Sequence, residues 1–326
     1  MGTRKSAAAL STSEVDRFVA AVHQLRDTAV GSSSIYDRFV ALHGAVMSVE
    51  VRFASGQSQR NNMAHWNIGF CPWHRQYLRE FELELQAIDD TVSIPYWDWA
   101  DHSSVVADVF SPRLLGSFGP DTGPESVTDG PFAELELVQA LQESWGGLLA
   151  RGGGLADGWP PETQGLDWLE DLRVSLEDRH PLWVFWQILE AGYANVLPHT
   201  HNAAHNFVGG HMAGDFSPND PAFWLHHANV DRLWARWQEN FVASGAGSLE
   251  ESWPQPAEAS PLDGSPAPYG HRRDDLMWPW VGSAAPAFAS LSVSPAAEPM
   301  LPDPAGLEAV RVRDVLDINA LGYDYI

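Results

Sequence analysis

Two sets of histidines have the types and spacing to hold metal ions. His201 and His205 are four residues apart, so on a helix both imidazoles leave the same face. Gly209 and Gly210 end that helix. The run Ser217-Pro218-Asn219-Asp220-Pro221 then opens another, with Asp220 as N-cap and Pro221 at the first helical position. That helix carries His227, one turn after Phe223. Two imidazoles from one helix and a third from a partner helix make a three-nitrogen metal site. A second set pairs His43 on a helix, His65 in a loop and His74 on the next helix.

Ligation by imidazole alone, with no carboxylate, suits copper or zinc better than manganese, magnesium or iron. A di-iron bundle wants a Glu-x-x-His motif on each of two helices, and Glu177-x-x-His180 is the only one in the candidate helices. Zinc does not change oxidation state, so it would confine the chain to hydrolytic or structural work. Two neighbouring copper ions with open faces could hold dioxygen between them.

The elements that must position these groups follow from hydrophobic periodicity. A helix is expected over 13–26, capped by Ser13, with Val15, Phe18, Val19, Val22 and Leu25 in one stripe and His23 off it. A second is expected over 34–50, where His43 shares a face with Phe39 and Val46. Residues 51–70 read as a loop, and a long helix follows to about Asp89 with His74, Tyr77, Leu78, Phe81, Leu85 and Ile88 on one face. Residues 101–175 are loop-like and punctuated by Gly and Pro, with a helix plausible over 132–149. The apolar helix at 181–191 carries one acid, Glu190. Residues 243–308 are rich in Pro, Ala, Ser and Gly around one dense segment, His271 to Trp280.

The expected architecture is mainly α: an antiparallel four-helix bundle with long surface loops and little strand. It forms one domain over 1–326, with a core at about 12–242, a Pro-rich wrap at 243–308 and an ordered tail at 309–326. The 15 tryptophans suggest a core of large aromatics. A net charge of −24 argues against nucleic acid or an anionic membrane as partner. The single cysteine, Cys71, excludes an intrachain disulfide framework and reads as a small buried hydrophobe. No run of about 18 apolar residues exists to span a membrane, and the start lacks an apolar stretch of signal-peptide length. A cytoplasmic location, or export carried by another protein, is the expectation.

These motifs resemble those of the type-3 copper family: tyrosinases, catechol oxidases, o-aminophenol oxidases and haemocyanins. FCPWHRQYLREFE, from Phe70 to Glu82, is similar to the family's first-copper motif, with Cys71 where a Leu is usual. HNAAHNFVGGHM, from His201, and SPNDPAFWLHHANVDRLW, ending at Trp234, are similar to its second-copper motif. TDGPFA at 128–133 resembles bacterial tyrosinases, and Asp314 to Tyr325 resembles the family's closing segment.

The resemblance implies two copper ions with O2 as co-substrate. His43, His65 and His74 would bind the first ion; His201, His205 and His227 the second. His226 would then be a hydrogen-bonded buried neighbour, and His199 and His211 bystanders. Asp231 would fix the ligand helix by an ion pair or hydrogen bond. Phe223 would project over the site and shield it, and Asn206 would line it. Glu190 and Asn202 would hold the water that takes a proton from a monophenol. Some members cross-link a cysteine to the second histidine of the first site; Met63 stands near that position, so the thioether cannot form. The implied reaction is o-hydroxylation of monophenols and oxidation of o-diphenols to o-quinones. The alternatives are o-aminophenol oxidation at the same site and, further off, a haemocyanin-like oxygen carrier. A small copper-loading helper protein is a possible partner beside the phenolic or aminophenolic substrate.

Overall fold

The computed structural model describes residues 2–99, 108–119, 123–142, 144–152, 181–191, 200–254, 268–283 and 287–326. Helices dominate. In chain order they are α1 (Thr12–Asp27), α2 (Ile35–Val46), α3 (Phe70–Ile88), α4 (Pro181–Trp186, running into a π-helical turn, Gln187–Ala191), α5 (Thr200–Val208), α6 (Ala222–Ala243) and α7 (Ile318–Leu321). Among the described residues, nine short strands make four small sheets: β1 (Gly2–Arg4), β2 (Ala29–Val30), β3 (Ser33–Ser34), β4 (Val49–Arg52), β5 (Ser58–Asn61), β6 (Pro124–Ser126), β7 (Ala150–Gly152), β8 (Ala287–Ser290) and β9 (Tyr323–Tyr325). Among the described residues, no helix is long and apolar enough to cross a membrane.

Local chemistry explains where the ligand helices begin. Ser34 opens α2 with a capping box: its hydroxyl accepts from Asp37 N–H while the Asp37 carboxylate accepts from Ser34 N–H. Ser11, not Ser13, does the same for α1 with Glu14, so that helix starts earlier than expected. Asp220 caps α6 in part, accepting from Ala222 N–H at 2.9 Å, but its carboxylate mainly answers the buried Arg151 guanidinium at 2.6 and 2.7 Å.

Two expectations fail. Residues 51–70 are not all loop, because β4 pairs with β5 and β8 in a three-stranded antiparallel sheet. Val49 and Val51 point into the core and the polar residues of β5 take an edge, an alternation hidden by the Ser and Gln content. The helix at 132–149 does not form. Leu137 N–H donates to Gly147 C=O and Leu149 N–H to Leu135 C=O, so cross-chain pairing replaces helical bonding, leaving one short 3-10 turn at Gln139–Leu141.

One continuous apolar core takes residues from Ala7 to Leu316. Trp73, Trp97, Trp183, Trp186, Trp224, Trp234 and Trp253 are among its largest fully buried side chains. Phe81 of α3 stacks flat on Trp224 of α6 with ring centroids 3.5 Å apart, and Phe39 of α2 meets both edge-on. Such pairs add about 0.5–1.5 kcal/mol each beyond the area they bury, and here they lock three ligand-bearing helices together.

Beneath these helices lies a buried ionic cluster. Asp231 of α6 accepts from Arg75 of α3 at 2.5 Å, from Arg4 of β1 at 3.2 Å, and from the hydroxyls of Tyr323 and Tyr325 at 2.6 and 2.7 Å. Arg4 also forms a two-pronged pair with Glu82. Burial alone would raise the Asp231 carboxyl, but Arg75 and Arg4 outweigh it and hold the group below the usual carboxylate range. Strands β1 and β9 pair in parallel beside this cluster and bring Arg4, Tyr323 and Tyr325 to it.

Candidate metal centre

The two histidine sets converge from five segments. His43 comes from α2, His65 from the loop between β5 and α3, His74 from α3, His201 and His205 from α5, and His227 from α6. The Nε2 atoms of His201, His205 and His227 lie 3.1–3.3 Å from one another. In the other set, His43 Nε2 stands 3.4 Å from His65 Nε2, and the His65 and His74 ring centroids are 4.9 Å apart. The sets face each other, with His74 and His227 stacked at 4.2 Å.

What the ring backs do decides whether these nitrogens can bind metal. His43 Nδ1 donates to Asp215 C=O, His74 Nδ1 to Phe70 C=O and His205 Nδ1 to Met212 C=O, at 2.7, 2.9 and 2.6 Å. His65 Nδ1 meets Glu190 Oε1 at 2.8 Å, and His201 Nδ1 meets Asn202 Oδ1 at 2.7 Å. Each acceptor places the proton on Nδ1 and leaves an Nε2 lone pair facing the centre. Neutral imidazoles whose lone pairs converge repel unless a cation sits among them. Three donors about 2.0–2.1 Å from one ion at tetrahedral angles stand about 3.3 Å apart, which is the spacing found in the second set. Burial pushes His43, His74, His201 and His227 well below the ordinary histidine range, and His205 down to about 4. They are therefore neutral and ready to ligate at neutral pH. His74 Nε2 is buried with no hydrogen-bond partner among the described residues, as a nitrogen reserved for metal would be. The residues fit two metal ions.

A cavity of about 240 Å³ opens onto the histidines, and His43, His65, His201 and His205 line it. Its wall also holds Glu190, Asn202, Asn206, Met47, Trp66 and Met212. Glu190 is buried and heavily used: Oε1 bonds His65, while Oε2 accepts from Trp66 N–H at 2.7 Å and Trp186 Nε1–H at 2.6 Å. Asn202 donates to the Glu190 backbone C=O at 2.8 Å, tying α5 to the π-helical turn. Asn206 is exposed at the cavity wall.

Phe223 lies elsewhere than expected. It is fully buried, 5.0 Å from the His43 ring and 4.1 Å from that of His227, and it is not on the cavity wall. One helical turn before His227, its ring packs on the His43 and His227 imidazoles from the core side. His226 also differs: it is buried against the rings of His201 and His205, and neither ring nitrogen has a hydrogen-bond partner among the described residues. Its nitrogens come close enough to group with the second set. His211 is outside both groups and accepts from Ala150 N–H at 2.9 Å. Cys71 is buried, with its thiol pushed well up by burial, and does not line the cavity. His199 and the Glu177-x-x-His180 motif lie outside the described residues.

Trp66 and His271 carried no role in the sequence. Trp66 is 60% exposed at the cavity rim, with a positive φ of 63°. No periodicity signals such a residue, because the hydrogen bond to Glu190 that holds its backbone comes from 124 residues away.

A helical scaffold presenting two three-imidazole sites face to face defines a type-3 dicopper protein. Comparison with known proteins places it further: the chain belongs to the tyrosinase family, whose common central domain matches residues 33–240. It is 37% identical to the tyrosinase of Streptomyces glaucescens over 253 residues, 75% of this chain and 85% of that protein. It is 36% identical to the tyrosinase of Streptomyces antibioticus over 252 residues, with the same coverage. Grixazone synthase of Streptomyces griseus subsp. griseus is 33% identical over 265 residues, 72% of this chain and 83% of that protein. The fold is shared with a polyphenol oxidase from Thermothelomyces thermophila (TM-score 0.69, 20% identity, 100% of this chain and 89% of that one). It is also shared with an octopus haemocyanin functional unit (TM-score 0.58, 18% identity, 100% of this chain and 68% of that one). The protein is a copper-dependent phenol oxidase of tyrosinase type that uses two copper ions.

Proposed function

We propose that the chain o-hydroxylates small monophenols and oxidises o-diphenols to o-quinones. His43, His65 and His74 hold one copper ion and His201, His205 and His227 the other. The observation that carries this reading is the open cavity, which gives an aromatic ring a route to both ligand sets. The copper pair, when bound, supplies activation of O2 and the two-electron change at the substrate.

The remaining work falls to the protein. The cavity wall mixes the thioethers of Met47 and Met212 with the amides of Asn202 and Asn206, which suits a flat ring bearing one or two hydroxyls. A phenol with pKa near 10 is neutral at pH 7, so its proton must be removed before it can react as phenolate. Glu190 is the acid at the wall. Its carboxylate is fixed in place by His65, Trp66 and Trp186. A water held at the cavity wall beside this carboxylate receives the phenolic proton. Asn202 steadies the same turn through the Glu190 carbonyl while it orients His201. Glu190 thus has two tasks, holding His65 in its ligating tautomer and holding the base water.

The same open mouth gives a small copper-loading helper protein access to both ligand sets. The test is a substrate panel on copper-reconstituted protein with His205→Ala as control. A monophenol should yield quinone after a lag and a catechol without one, and the control should be inactive. Turnover of catechol alone removes the proton-transfer role of Glu190. Much faster turnover of o-aminophenols than of any phenol reassigns the substrate class, and reversible O2 binding with no turnover makes the protein a carrier. Reconstitution with free Cu(II) to full activity dispenses with the helper.

A further inference from the structure

We propose that His271, from the Pro-rich wrap, is a positioning residue for the first copper site: its imidazole staples the two feet of the loop that carries His65. The proposal rests on the reading of His65 and His74 as ligands. His271 is fully buried. Its Nε2 lies 2.9 Å from Asn62 C=O, and its Nδ1 lies 3.1 Å from Gly69 N–H. A carbonyl can only accept and an amide N–H can only donate, so one tautomer satisfies both: proton on Nε2, lone pair on Nδ1. A single neutral ring therefore closes Asn62–Gly69, with His65 between the closed ends.

The surroundings are built to that ring. A Cβ at Gly69 would collide with the His271 imidazole, so only glycine lets the loop approach so closely. Gly270, at φ +96°, likewise has room for no side chain against Met63 Sδ. Next to the staple, Asn61 Nδ2 donates to Tyr269 C=O at 3.0 Å and Tyr269 N–H donates to Gln59 at 3.2 Å. Further along the wrap, Trp73 Nε1–H donates to Trp278 C=O at 2.7 Å.

The staple reaches two ligands at once. Gly69 directly precedes α3, and Phe70 C=O takes the Nδ1 proton of His74. Inside the loop, Asn62 Oδ1 accepts from the backbone N–H groups of Ala64 and His65 at 3.0 and 2.9 Å. Glu190 fixes the tip of this loop from one side and His271 fixes its base from the other. A loop ligand loses much conformational freedom on binding metal, and a base closed beforehand reduces that loss.

The experiment uses the full-length protein as wild type, His271→Ala and His271→Gln. Glutamine keeps the bulk and a donor for Asn62, so it serves if the alanine variant does not fold. Backbone hydrogen exchange is measured first, without copper, on peptides covering 62–69 and, as control, 224–234 of α6. The expected result is exchange at least ~10-fold faster in 62–69 with the control unchanged, the alanine variant being the more affected. Copper is then titrated against a competing chelator and followed by electron paramagnetic resonance. One of the two ions should bind ~10–100-fold more weakly, the range for partners that orient a ligand. At limiting copper the variant should show the signal of an isolated Cu(II), which a neighbouring pair would quench. Unchanged exchange in 62–69, equal acceleration in 224–234, or equal weakening of both ions would each overturn the proposal and leave His271 an ordinary core histidine. Wild-type protein that binds fewer than two copper ions would instead overturn the dicopper assignment, and the exchange comparison alone would then decide the staple.

Discussion

The two copper sites offer the same chemistry through different construction. In the second, His201 and His205 sit one turn apart on α5 and His227 faces them from α6, so all three imidazoles stand on regular helix with their Nε2 atoms 3.1–3.3 Å apart. In the first, three separate segments each bring one imidazole, and the middle one lies in a loop. That loop is held by Glu190, 125 residues from His65, and by His271, 209 residues from Asn62. A site on regular elements carries its own precision, whereas a site on a loop borrows it from distant chain. Substitutions far from the metal should therefore act unequally on the two ions.

The largest effect should come from Asp231, whose ion pair with Arg75 joins the ligand helices α3 and α6. Asp231→Asn leaves Arg75 buried without its carboxylate, while Arg4 keeps Glu82, and breaking a buried pair in this way costs about 3–5 kcal/mol. Denaturant unfolding of the metal-free protein should register that loss, with both copper ions weakened together. Loss of one ion alone would mean the cluster supports only one side.

Glu190→Gln should divide the sites. It removes the charged acceptor behind His65, so the first ion should bind ~10–100-fold more weakly while the second is unaffected. Chelator competition that shows both ions weakened equally would refute the division.

Acid should act on both sites, through groups that are neutral when folded. His205 and His271 titrate at about 4 in the folded chain, and burial holds His43, His74, His201, His226 and His227 well below the ordinary value. The unfolded chain, with histidines near 6.5, takes up more protons between these limits. The contribution of these groups to stability is complete above about pH 6.5 and is lost as pH falls toward 4. The midpoint of metal-free unfolding should drop through that window; a flat profile would show that the imidazoles are not buried neutral.

The smallest effect should come from the cavity rim. Trp66→Ala removes an exposed indole at the outer edge of the cavity. KM for a catechol should rise by a few-fold, within about 1 kcal/mol, with kcat and copper content unchanged. A fall in copper content would give Trp66 a place in holding His65.

The same contrast explains what could be read from the sequence. The second site was legible because His201, His205 and His227 obey a helical period between clear stop and start signals. His43 and His74 were legible for the same reason, as was the aromatic core. His65 has no period of its own and is placed only as the loop histidine between the helices of His43 and His74. The parts that escaped depend on long-range pairing. Strand β5 is an edge of polar residues paired to β4, the stretch from 132 to 149 pairs across itself, and Glu190 reaches His65 from the π-helical turn that ends α4. Phe223 shares the ligand helix and is expected over the site, but it packs in the core against His43 and His227, off the cavity wall. His271 was visible as part of a dense segment without a partner, and its partners lie more than 200 residues away.

The most direct test of the dicopper account is a copper titration of the metal-free protein, with quinone formation from a catechol followed at each addition under air. Activity should climb to a plateau at two copper ions per chain, and zinc in the same titration should give none. A plateau at one ion per chain, or activity restored by zinc, would contradict the account.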